Sequence, residues 1–116
     1  MHNFKELKVW QKSIDLAVDV YKAMMNLPSD EKFGLVSQMK RCSVSISSNI
    51  AEGSGRGSNP QFKHFLNISQ GSAFELEPQL IISNRLELLD DDLTEKIVNQ
   101  TTEVQKMIYS LERKIN

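Results

Sequence analysis

The sequence predicts an all-α chain folded as an antiparallel up-down-up-down four-helix bundle. Three observations lead there. Apolar residues recur at alternating spacings of three and four along four segments, the rhythm of helices packed side by side. Proline, glycine or acidic runs interrupt the chain around Pro28, across residues 53–58 and at Asp90, Asp91 and Asp92. No alternating run of strand length appears, and no internal repeat is visible.

The first helix is expected to start near Asn3, whose side chain can cap it, with Glu6 three residues on in a box-like arrangement. Its core stripe is read through Leu7, Trp10, Ile14, Ala17, Tyr21 and Met24. A second stripe, Val9, Leu16, Val20 and Leu27, exceeds what one core needs and is expected to meet another subunit. Pro28 ends the helix, and Ser29, Asp30 and Glu31 offer a cap and negative charge to the next N-terminus.

The second helix is expected over residues 31–52 or a little beyond, with Val36, Met39, Ser43, Ile46, Ile50 and Gly53 turned inward. Small and hydroxyl residues fill it where a soluble helix normally carries Leu, Glu and Lys. Serine is a middling helix former, and a glycine costs about 1 kcal/mol against alanine in a helix interior. Close contact with other helices is therefore expected to hold it. The glycine-rich run 53–58 breaks the chain, and Asn59 is expected to cap the third helix with Pro60 at its first position.

Phe62, Phe65, Leu66, Ser69, Ala73, Leu76 and Leu80 form the expected inner side of the third helix. Pro78 lies inside it. Proline there removes one backbone hydrogen bond and should kink the helix, at about 3 kcal/mol unless packing compensates. The acidic run at 90–92 suits the N-terminus of the fourth helix, whose inward residues are Leu93, Ile97, Thr101, Val104, Ile108, Leu111 and Ile115.

Composition narrows the function. The 116 residues make one domain, 1–116, with enough chain for a real core. Lysine plus arginine is 14 against 15 acidic residues, so phosphate contacts over the whole surface are excluded, and any nucleic-acid site must be local or assembled by oligomerisation. The single cysteine, Cys42, falls within the apolar rhythm and reads as a buried structural thiol. No signal-peptide core and no run of membrane-span length appears, so a cytoplasmic protein is expected and no membrane partner. The sequons at Asn67 and Asn99 then carry no meaning.

Asn49 and Glu52 share a face of the second helix and, with Glu75 on the third, are the polar residues that most need an explanation. With Arg41 and Ser45 they are read as a structural or intersubunit hydrogen-bond network, with Arg41 and Arg56 as the natural charge partners. A second set, Lys40, Arg41, Arg56 and Lys63, is the candidate for phosphate contact, helped by the glycines of 53–58 and the N-terminus of the third helix.

Catalytic readings fail on spacing. A di-iron bundle needs Glu-x-x-His on two helices, but the only histidines are His2 and His64, and Gln61 stands three before His64. Ser37 and Lys40 fit Ser-x-x-Lys without the other motifs of that enzyme class. No metal, cofactor or small-molecule substrate is inferred, and the chain is read as a non-enzyme.

The run Ser-Ile-x-x-Asn-Ile-Ala-Glu-Gly at 45–53, followed by Arg56, resembles the bacterial four-helix-bundle proteins encoded in intervening sequences of 23S ribosomal RNA genes. Residues 4–16 with Val9 and Trp10, residues 33–41, Phe62, Phe65 and Leu66, and residues 71–77 extend the likeness. The resemblance implies a ring-like homo-oligomer, a homopentamer, in a family with no established molecular role. By analogy with a similar bundle that accompanies a reverse transcriptase, it also implies RNA or DNA as an alternative partner. Pro78 departs from the pattern, where the family usually has threonine.

Overall fold

A computed structural model describes residues 3–25, 27 and 34–115. Four helices pack together: α1 (Lys8–Met24), α2 (Leu35–Ser54), α3 (Asn59–Arg85) and α4 (Asp91–Lys114), preceded by a 3-10 turn, Phe4–Glu6. No strand occurs among the described residues. The expected stop at Pro28, the cap at Ser29, Asp30 and Glu31, Phe33 and His2 all lie outside them.

Each helix touches two others: α1 packs on α2 and α4, and α3 packs on α2 and α4, so α1 and α3 are diagonal to each other. Specific contacts tie three of these neighbouring pairs. On α2 and α3, Gly53 meets Phe65, Ile46 meets Ser69, and Met39 meets Ser83. On α3 and α4, Gln70 reaches Gln105 while Asn84 reaches Asp91. On α1 and α4, Lys12 pairs with Glu103 and Asp19 with Lys96.

The core is built from one side of each helix. All six residues expected to face inward from α2 are buried, as are all those of α3 except half-buried Phe65. In α4 the inner residues are Ile97, Thr101, Val104, Ile108 and the following Ile115, with Leu93 and Leu111 half-buried at the edges.

Helix α1 corrects the expectation. Its buried column is Val9, Ser13, Leu16, Val20 and Met24, so Val9, Leu16 and Val20 are core and not a subunit contact. Leu27 is half-buried. Leu7, Trp10, Ile14 and Ala17 flank the column half-buried, and Tyr21 is exposed. The reason is Ser13, which interrupts the column as read from residue type. Its hydroxyl donates to the Trp10 carbonyl at 2.6 Å, which lets it enter the core with its donor satisfied.

Helix starts also shift. Asn3 accepts from the Lys5 amide at 3.2 Å and caps only the 3-10 turn. Leu7 is extended (φ −75, ψ 122), so α1 starts at Lys8, with Phe4 packed edge-on against Trp10 at 5.0 Å. Ser58, not Asn59, caps α3 by accepting from the Gln61 amide, which puts Pro60 second in the helix. Either residue has a side-chain oxygen, and the helix took the earlier one. Asp90 caps α4, accepting from the Leu93 amide at 2.7 Å.

α3 runs unbroken through Pro78. That residue is exposed on the outer side, so the Phe74 carbonyl it leaves without a donor is on the solvent side, where carbonyls already tilt outward. The helix ends in a Schellman motif, with the Glu87 amide on the Asn84 carbonyl and the Leu88 amide on the Ser83 carbonyl, both at 2.9 Å. Glu87 takes the left-handed position of that motif (φ 63). No helix among the described residues is long and apolar enough to cross a membrane.

Gly53 lies inside α2, buried, and not in the loop after it. A Cβ there would stand 2.7 Å from the Phe65 Cβ and 3.0 Å from the Phe62 ring. Gly53→Ala should therefore destabilise the fold by about 1–3 kcal/mol despite alanine's better helix propensity. Gly57→Ala, where nothing lies within 4 Å and φ is not positive, should be neutral or slightly stabilising. Urea midpoints of the two variants test the pair, and a Gly53→Ala midpoint at or above wild type would contradict it.

Candidate functional site

Arg41, Ser45, Asn49 and Glu52 follow one another at spacings of four, four and three, which places them on one face of α2, and Arg56, just past the end of that helix, pairs back onto Glu52. That face borders α3. Ser72 donates to the Ser45 hydroxyl at 2.8 Å, and Cys42, beside Arg41, donates to the Glu75 carboxylate at 3.4 Å. The two helices thus form a polar seam over the buried contacts beneath it.

Along the seam the polar groups divide into four local sets. Asn49 donates to the Ser45 carbonyl at 2.8 Å and to its hydroxyl at 3.0 Å, so Asn49, Ser45 and Ser72 form one chain. Glu52 pairs with Arg56, just past the helix end, at 3.5 Å. The Arg56 guanidinium also lies 4.8 Å from the Phe65 ring centre, a cation–π contact. Arg41 donates to Gln38, and Glu75 is held by Cys42. Ser45 and Asn49 are half-buried, whereas Arg41, Glu52 and Glu75 are exposed.

The structure brings together part of the expected cation set. Arg41 lies on the seam within α2 and Arg56 at its far end, just beyond that helix. Lys40 does not join them: its ammonium sits 5.1 Å from the Tyr21 ring centre, on the α1 side of α2. Lys63 is two residues from Phe65 and so on the other side of α3. His64 is exposed and packs edge-on with Phe65 at 5.4 Å.

Sequence reasoning missed several participants. Ser72 stands three after core-facing Ser69 and so borders the same helix face. Gln105 is buried and donates to the Ala73 carbonyl and to Glu77, each at 3.3 Å, tying α4 to α3. Its place directly after Val104 was the available signal. Among the described residues no group of three His, Cys, Asp or Glu is placed to hold a metal ion.

Two comparisons bear on this arrangement. A family model for the 23S rRNA-intervening sequence protein matches residues 5–110. The chain belongs to that family. A crystal structure from Bacteroides thetaiotaomicron VPI-5482, of a protein with unknown function from the S23 ribosomal protein family, is similar to it. The two are 32% identical with a TM-score of 0.81, over 90% of this chain and 97% of that one. No curated protein matches. In this member of the 23S rRNA-intervening sequence family, the motif at 45–53 that carries the resemblance supplies both the seam (Ser45, Asn49, Glu52) and the close contact with α3 (Ile46, Gly53).

Cys42 is buried on the α3 side of α2. Burial pushes its thiol above the ordinary range, and Glu75 pushes the same way through a hydrogen bond and its charge, against smaller opposing effects of Gln79 and Arg41. The fold therefore favours the protonated thiol. Its contribution to stability is complete below the ordinary thiol pKa and is lost as pH rises through the raised one. Iodoacetamide at pH 8 should alkylate native protein at least about tenfold more slowly than urea-unfolded protein, since the thiolate is the nucleophile. Equal rates would show that the thiol is neither buried nor raised.

Proposed function

We propose that this protein is a non-enzymatic scaffold that works as a ring-like homo-oligomer of antiparallel up-down-up-down bundles, a homopentamer by family resemblance. The observation that carries this reading is a pair of apolar outer faces on diagonal helices. On α1 and at its C-terminal cap, Val18 is 45% exposed, Tyr21 42% and Met25 74%, and Val44 on α2 is exposed as well. On α3, Phe74 is 59% exposed and Ile82 48%, with Ile68 and Ile81 beside them. Gly71 lies among these with nothing within 4 Å of the Cβ position, which leaves the helix backbone open to close approach.

The faces point away from each other, because α1 and α3 do not touch. Two different surfaces on opposite sides of one subunit meet head to tail, and a head-to-tail contact that closes makes a ring. Large exposed side chains grouped in this way are the usual mark of a protein interface. Hydrogen bonding within the seam then has a structural role, fixing how α2 and α3 present those faces.

A second reading, an RNA- or DNA-binding accessory protein, is favoured by one observation. Arg41 on α2 and Arg56 just past its end lie along the same border between α2 and α3, and a ring would repeat that pair around its circumference. Lys40 and Lys63 would contribute from other faces of the subunit.

Val18→Glu and Ile82→Glu should each leave the helical circular dichroism intact and reduce the mass measured by light scattering to that of a monomer. Mixing the two variants should then give a one-to-one pair, since one intact contact remains between them. Wild-type mass in either variant would refute the head-to-tail contact. For the second reading, Arg41→Glu with Arg56→Glu should abolish the salt-sensitive anisotropy change of labelled RNA without changing the mass. Unchanged RNA affinity would exclude the seam as the contact.

A further inference from the structure

An open groove of about 690 Å³ runs between the start of α1 and the second half of α4. Leu7, Val9, Met107 and Leu111 provide its apolar lining, and Lys8, Lys106 and Lys114 stand around it. These three lysines are exposed, and none makes an ion pair among the described residues. Glu103, the acidic residue of the lining, is taken up by Lys12 at 3.4 Å. The groove is therefore apolar at its floor and cationic at its rim.

The opposite end of α4 has the complementary character. The α3–α4 turn and the start of α4 carry Glu87, Asp90, Asp91, Asp92 and Glu95, all exposed. Asp90 and Asp91 are used locally, as the cap of α4 and as acceptor for Asn84, while Glu87, Asp92 and Glu95 make no ion pair among the described residues. Of the nearby cations, Lys96 is engaged by Asp19 and Arg85 is exposed. Leu86, 59% exposed, projects an apolar group from the middle of this acidic surface.

We infer that the groove receives the acidic α3–α4 turn of a second copy of the chain. Leu86 enters between Met107 and Leu111, and Glu87, Asp92 and Glu95 meet Lys8, Lys106 and Lys114. Charge complementarity selects this occupant, because both halves belong to the same molecule and each lacks a partner within it. A nucleic acid would leave the floor unexplained, since the apolar residues named there include no ring on which a base could stack. The contact uses none of the residues of the proposed ring, so it adds a charge-driven association to the apolar one and is tested separately from it.

The mass of the wild-type protein should rise with concentration at low salt and fall as salt increases, because the pairing charges are solvent-exposed and screened. Lys8→Glu/Lys106→Glu and Glu87→Lys/Glu95→Lys should each weaken this salt-sensitive association by at least about tenfold, leaving the salt-insensitive mass unchanged. Joining all four substitutions in one chain should restore it. Sedimentation velocity at two salt concentrations reads the association, and circular dichroism checks the fold of each variant. Wild-type association in either double variant, or no restoration in the fourfold variant, would overturn the inference. So would a wild-type protein without salt-sensitive association that binds a labelled RNA oligonucleotide through Lys8 and Lys106.

Discussion

Close approach between α2 and α3 sets the geometry to which the rest of the bundle conforms. Its measure is the space at Gly53, where the backbone of α2 lies so near Phe62 and Phe65 that even a methyl group does not fit. Further along, the Ser69 hydroxyl crosses the interface to the Ile46 carbonyl at 2.8 Å in a fully buried position. A carbonyl already bonded within its helix can accept a second donor only if that donor comes this near. Larger residues at 53 or 69 would force the helices apart, and the lever of a 27-residue α3 would carry the displacement to α4.

Serine makes this approach possible without leaving donors unsatisfied. Ser43 and Ser54 donate to carbonyls three residues back at 2.8 Å, and Ser83 to one four residues back at 2.9 Å. Each hydroxyl thus behaves as a small side chain with an internal partner, costing little desolvation in a dry interface. Ser13 on α1 and Thr101 on α4 follow the same rule, so all four helices admit hydroxyl groups to the core. The weak helix propensity of α2 is offset by contacts that a leucine-rich helix of the same length would be too bulky to make.

Most of this was legible in sequence. The inner sides of α2, α3 and α4 followed from their spacing, because one apolar column dominates each. On α1 two neighbouring stripes are apolar, and residue type alone cannot rank them once Ser13 sits in the true core column. The seam was legible as a face of α2 but not as a set of partners, since pairing Ser45 with Ser72 depends on the register between two helices. The cations were grouped because they are near in sequence, yet two residues along a helix turn a side chain through most of half a circle, and this separates Lys63 from Phe65. Loop boundaries moved by a residue wherever two adjacent side chains could cap, as at Ser58 and Asn59.

Glu87 shows two demands on one residue in opposition. The left-handed position at the end of α3 is one that glycine occupies freely, and a residue with a Cβ holds it at a cost of roughly 1–2 kcal/mol. A glycine there would make an easier turn and a less acidic end of the molecule. Conformational comfort and surface charge thus compete at a single site, and the chain carries the charge. Drift toward greater stability of the isolated subunit would erode that end of the molecule first, so the stability of one chain is a poor guide to which of its surface residues matter.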